Sequence, residues 1–194
     1  MQFSLTVTMI LTSLFSHLLE KLLRALAYQC GSEVSVNELS SLLGVSRTLV
    51  ESYLKLLEQA FIIFPLNSYS SNKRNELKKS VKYYFWDNGI RNSIINDFSP
   101  IAQRNDVGAL WENYLVSERL KKNAYTGADG LPYFWRNTDQ MEVDYIEVCG
   151  DKIQAFEFKW NVQKKSRITK AFTNKYPQAV LTTITSENYD DFLG

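Results

Sequence analysis

From residue 132 to residue 160 the chain runs in three short stretches, Pro132 to Arg136, Met141 to Val148 and Ile153 to Trp160. They are divided by Thr138-Asp139-Gln140 and by Gly150-Asp151. Strand-forming runs separated by turn residues at that spacing predict a three-stranded meander. Its neighbours narrow the fold further. Residues 105–123 predict a preceding helix, with Val107, Leu110, Trp111, Tyr114, Leu115 and Leu120 as its buried stripe. Residues 162–174, rich in cations, predict a following helix, Ala179 to Ile184 a fourth strand, and Glu187 to Leu193 a closing helix. Helix, three strands, helix, strand is the order of an α/β core.

Alternation also fixes where charges point. In Phe156-Glu157-Phe158-Lys159-Trp160, Glu157 and Lys159 leave one face of the strand and the aromatic rings take the other. Asp144 lies on the neighbouring strand, in Met141-Glu142-Val143-Asp144-Tyr145-Ile146, and Glu112 stands beside the apolar stripe of helix 105–123. If these groups meet, two carboxylates offer hard oxygen ligands to Mg2+ or Mn2+, and a lysine beside them holds a water or an anionic intermediate. Glu112, Asp144, Glu157 and Lys159 are therefore the candidate catalytic set for metal-dependent cleavage of a phosphodiester. Asp144 and Glu157 are the expected metal ligands, with Glu112 joining directly or through water. The competing reading is plain: charges on a two-faced strand form its solvated side, and a glutamate at the edge of an apolar stripe is a boundary residue. Arg136 either binds a scissile phosphate or neutralises Asp144.

The first half carries different signals. Leu14, Leu18, Leu19, Leu22, Leu23 and Leu26 recur at helical spacing, and Gly31 stops that helix. Ser35-Val36-Asn37-Glu38 has the form of a capping box and opens a helix that ends at Gly44. A further helix follows Val45-Ser46, with Val50, Tyr53, Leu54 and Leu57 inward. Ala60 to Leu66 and Val81 to Trp86 then read as paired strands around a polar loop, Asn67 to Lys79. Three helices and a hairpin predict a winged helix-turn-helix over residues 1–95, ahead of the α/β unit over 96–194. Asp87-Asn88-Gly89 starts a short helix, which Phe98-Ser99-Pro100 breaks. Nucleic acid is one expected partner: Arg47 and Lys55 face outward on the second helix of the turn, and Lys73, Arg74, Lys78 and Lys79 sit in the wing, where phosphates would meet them. Alternatively the wing lysines keep an edge hairpin soluble while the module packs against another protein domain.

Tyr83-Tyr84-Phe85-Trp86-Asp87-Asn88-Gly89-Ile90-Arg91, Gly108-Ala109-Leu110-Trp111-Glu112-Asn113, Tyr133-Phe134-Trp135-Arg136, Glu142-Val143-Asp144 and Phe156-Glu157-Phe158-Lys159 follow one another in order. Together they resemble the C-terminal half of a bacterial and archaeal family of AAA-type P-loop ATPases. In that family an ATPase domain precedes a winged helix and a domain resembling PD-(D/E)xK nucleases. The resemblance implies that fold for residues 96–194, matches Glu112 to the family's helix glutamate, and implies an N-terminal ATPase domain as native partner. No G-x-x-x-x-G-K-[ST] occurs, so this chain carries no ATP site and reads as a fragment or a degenerate member.

Composition separates the remaining possibilities. Lys+Arg 22 against Asp+Glu 21 leaves a net charge of +1, which gives no support to a strongly DNA-binding whole. Cys30 and Cys149 have no metal-type spacing and read as reduced thiols in a cytoplasmic protein. Phe3 to Leu19 lacks a basic leader and continues into Glu20-Lys21 as an amphipathic pattern, so a buried helix is expected there rather than a membrane anchor. His17 is the single histidine and lies in an apolar helix, which leaves no nucleophile-and-base pair to build around it. The rival to an enzyme is a regulatory or docking domain that keeps the nuclease fold without its chemistry. A transcription regulator would rest on the winged helix alone. The sequence does not set the oligomeric state.

Overall fold

Capping chemistry divides the first half into its helices. The computed structural model of the chain describes residues 17–70, 80–163 and 170–194. The first described helix, α1, covers 17–28. Ser35 accepts a hydrogen bond from the Glu38 backbone N–H at 3.4 Å and opens α2, Val36–Leu43; Gly44, at φ 67°, closes it. Ser46 accepts from the Leu49 N–H at 3.3 Å and opens α3, Arg47–Gln59. These caps satisfy backbone groups that a helix end otherwise leaves open. Strands β2, Ile63–Asn67, and β3, Val81–Phe85, pair antiparallel as expected. A strand that the pattern did not signal, β1 at Glu33–Val34, adds to the other edge of β3 and gives the order β1-β3-β2. Two residues are too few for alternation to register. The wing cations Lys73, Arg74, Lys78 and Lys79 lie outside the described residues.

Asp87 caps α4, Asn88–Ile95, by accepting from the Ile90 N–H. One 3-10 turn, Ile101–Gln103, then leads to α5, Val107–Thr126. The meander follows as β4, Leu131–Arg136, β5, Glu142–Cys149, and β6, Lys152–Lys159. Of the expected helix 162–174, the described part is α6, Lys170–Lys175; it leads to β7, Val180–Thr185, which joins β6 in parallel. A short helix α7, Tyr189–Leu193, closes the chain. The second sheet has the order β4-β5-β6-β7. The result is a mixed α/β protein with two sheets. No helix among the described residues is long and apolar enough to cross a membrane.

One irregularity in β5 matters for the site. Tyr133 pairs with Ile146 and Trp135 with Val143, so Phe134 alone stands opposite both Asp144 and Tyr145. Such a bulge resets the alternation of side chains. Val143 and Ile146 accordingly share one core with Trp135 and Phe172, while Tyr145 lies in the other. That other core runs through both halves of the chain without a break: Leu22, Leu54 and Phe85 belong to the same cluster as Leu115, Phe156 and Phe192. With each fully buried Leu or Phe contributing about 1.5–3 kcal/mol, most of the apolar stabilisation is common property of the two sheets.

Candidate functional site

Strand β3 carries a lysine among apolar neighbours, and this residue organises the site. Lys82 is 1% exposed. Its Nζ donates to Glu112 Oε1 at 3.1 Å and to Glu142 Oε1, and it lies 5.2 Å from the centre of the Phe134 ring. The Tyr84 hydroxyl, two residues along the same face of β3, donates to the same Glu112 oxygen at 2.6 Å. Gly31 closes the pocket from the turn after α1. It sits at φ 78°, and a Cβ there would fall 3.3 Å from the Glu112 carboxylate. Glycine is the residue that fits both the left-handed backbone and the close approach. Thus Glu112, on α5, is enclosed by three groups from the first half of the chain.

Carboxylate oxygens of Glu112, Glu142 and Asp144 lie within 4.8 Å of one another. Glu157 is not a member of that group. Its Oε1 instead receives Lys159 Nζ at 2.6 Å. The cause is local. On β6, Ile153 and Ala155 face the second core and Phe156 and Phe158 the first, so alternation sends Glu157 and Lys159 to the side of the second core. Asp144 sits in the β5 bulge and turns its Oδ2 to the Phe158 backbone N–H at 2.7 Å, extending the β5–β6 ladder with a side chain. Of the expected tetrad, Glu112 and Asp144 therefore stand in this group, while Glu157 pairs with Lys159, whose charge still acts on Asp144. Glu142, present in the same Glu142-Val143-Asp144 motif, takes the place expected for Glu157, and Lys82 supplies the cation.

Arg136 reaches Glu33 at 3.5 Å and Glu142 at 3.7 Å, so within the cluster it pairs with Glu142 rather than with Asp144. Arg47 and Lys55 are exposed on α3, and Arg47 lies 3.8 Å from Glu51 one turn on. An exposed pair of this kind contributes little to stability.

Electrostatics at the cluster follow from burial. For Lys82, burial works to discharge the amine, but the charges of Glu112, Glu142 and Asp144 outweigh it and hold its pKa above the ordinary lysine range. Asp144 is raised to about 7, first by burial and then by the charge of Glu112, against the opposing pull of Lys82, the Phe158 N–H and Lys159. An acid whose folded pKa lies above its unfolded value binds more protons folded than unfolded between the two. Its contribution to stability is therefore complete below about 3.8 and declines as pH climbs to about 7. Asparagine at this position keeps the acceptor for Phe158 and has no such decline. The stability of Asp144→Asn relative to wild type is expected to grow by about 1 kcal/mol or more between pH 4 and pH 8 in urea titrations. A difference that does not change with pH contradicts the assignment.

Asn113 was not singled out by sequence reasoning, and it is wholly buried. Its Oδ1 accepts from the Phe85 N–H at 2.7 Å and from the Cys30 thiol at 3.2 Å, while its Nδ2 donates to the Phe85 carbonyl at 3.0 Å and to Asn88 Oδ1 at 2.9 Å. The carboxamide thus substitutes for a strand beyond the end of β1. Burial pushes the Cys30 thiol up to about 12, whereas Cys149 is exposed. Iodoacetamide at neutral pH is expected to modify Cys149 in the folded protein and to reach Cys30 after denaturation, as read by mass spectrometry. Equal rates at both would refute the enclosure of Cys30.

Comparison with known proteins divides the chain at the same place as its sheets. Residues 14–100 match a domain of unknown function, DUF8612, and residues 107–191 match another, DUF4143. The chain is 26% identical over 159 residues to an uncharacterized protein of Haemophilus influenzae; the match covers 79% of this chain and 37% of that protein. It therefore spans little more than a third of that relative. No solved structure matches the chain.

Proposed function

We propose that this chain is a regulatory or docking portion of an ATPase-family protein, a winged helix joined to a PD-(D/E)xK-like unit whose acidic centre serves as the joint. The observation that carries this reading is Lys82. Oxygen ligands converge as a divalent cation would require, but a buried ammonium from β3 stands between Glu112 and Glu142 and supplies the positive charge itself. The residues present therefore do not fit Mg2+ or Mn2+ with Lys82 in place. Two further findings support the reading. DUF4143 regions are typically found with AAA ATPases, and the Haemophilus influenzae relative is much longer than the matched part.

The purified chain, incubated with single-stranded, duplex and branched DNA and with RNA in Mg2+ or Mn2+, is expected to cut none of them. Calorimetry with Mn2+ is expected to show no binding. Metal-dependent cleavage that falls by orders of magnitude in both Asp144→Asn and Lys159→Ala would overturn the proposal and restore phosphodiester hydrolysis.

A further inference from the structure

Strand β7 ends its sheet and pairs with β6 alone. An edge strand offers open main-chain groups as a template for another strand, and lysines, prolines or bulges usually guard it. Here Val180-Leu181-Thr182-Thr183-Ile184-Thr185 contains no charge, no proline and no glycine, and five of the six residues are β-branched. Val180 is 62% exposed.

The neighbouring strands decide which groups of β7 are open. The Phe158 N–H meets Asp144 of β5, so the main-chain groups of Phe156 and Phe158 point to β5 and those of Ala155 and Glu157 to β7. With Phe156 in register with Thr182, the groups of Val180, Thr182 and Ile184 therefore face β6, and those of Leu181, Thr183 and Thr185 face outward. Asn188 takes two of the outward atoms: its Oδ1 accepts from the Thr185 N–H at 2.7 Å, and its Nδ2 donates to the Thr183 carbonyl at 3.0 Å. Among the described residues, none bonds the Leu181 N–H, the Leu181 carbonyl or the Thr183 N–H from that side.

We propose that this edge pairs with the same edge of a second copy of the chain, antiparallel and centred on Leu181. In that register Leu181 stands opposite Leu181 and exchanges both hydrogen bonds, and Thr183 stands opposite Ala179. Two atoms of the second pair are already occupied: Asn188 holds the Thr183 carbonyl, and the Tyr176 carbonyl accepts from the Ala179 N–H at 3.0 Å. Those two would have bonded each other. The two-fold axis thus sets occupied atoms together and leaves the Thr183 N–H to meet the Ala179 carbonyl. The lengths agree as well, since Asn188 closes the edge beyond Thr183 and the opposing strand begins only at Val180, after a turn at 177–178. On the exposed face Val180 meets Thr182, and no charge repels. This contact uses no residue of the acidic cluster, so it stands or falls apart from the docking role.

Sedimentation velocity on the full chain tests the contact. Between about 5 and about 500 μM, where a small interface associates, the chain is expected to pass from monomer to dimer, and amide exchange at Leu181 and Thr183 to slow as concentration rises. Val180→Lys with Thr182→Lys gathers four ammonium groups across the axis and is expected to weaken the dimer at least about tenfold. Val180→Lys with Thr182→Glu sets each lysine opposite a glutamate and is expected to restore it, a recovery that requires the Leu181-centred register. Both side chains are exposed, so each variant is expected to melt near the wild-type temperature. A chain that stays monomeric at about 500 μM, a dimer equally tight in the double-lysine variant, or no recovery with glutamate overturns the proposal.

Discussion

Lys82→Met is expected to lower stability by about 3–5 kcal/mol in urea denaturation at neutral pH. The methionine fills a similar volume, so the loss is electrostatic: Glu112 and Glu142 keep their enclosure and lose the ammonium that neutralises them. The triple variant Lys82→Met with Glu112→Gln and Glu142→Gln removes the uncompensated charges as well and is expected to recover much of that stability. This follows because exchanging a whole buried ion cluster costs far less than breaking it. A Lys82→Met loss below about 1 kcal/mol, or no recovery in the triple variant, would show that the cluster is not the joint described above.

Asn113→Ala is expected to be comparably severe. It leaves the Phe85 N–H and carbonyl, two buried main-chain groups, without the carboxamide that joins both. At about 1–3 kcal/mol for each of the two unsatisfied groups the melting temperature should fall by roughly 4–24 °C, given a shift of about 2–4 °C per kcal/mol at this size. Asn113→Asp tests the bonding pattern rather than the size of the residue. It retains an acceptor for the Phe85 N–H but sets a carboxylate against the Phe85 carbonyl and Asn88 Oδ1, and is expected to be no better than alanine near pH 7. Wild-type stability in Asn113→Asp would remove the donor role of Nδ2.

Much of the fold was legible because its signals are local. Ser35, Ser46 and Asp87 cap the helices that their side chains can reach within three residues, and the turns at 138–140 and 150–151 separate the strands where alternation stops. The site was legible in part. Glu112 and Asp144 do meet, since one lies on the helix and the other on the strand that the pattern assigned. Glu157 parts from them because a single bulged residue in β5 changes which way Asp144 and Tyr145 point, and no composition rule marks a bulge. Lys82 carried one usable sign, a lysine inside Val81-Lys82-Tyr83-Tyr84-Phe85. Its partners lie 30 and 60 residues further on, at a distance where periodicity is silent.

The position of that lysine bears on inheritance. The acids it balances belong to the region 107–191, while the lysine, Tyr84 and Gly31 belong to 14–100. A recombination event that carried the second region alone into another gene would deliver three crowded carboxylates without the buried ammonium that bridges Glu112 and Glu142, and a strand-mimicking asparagine with no strand to complete. Physical chemistry therefore ties the two regions as a hereditary pair, and a duplication or fusion that keeps both can move the unit intact.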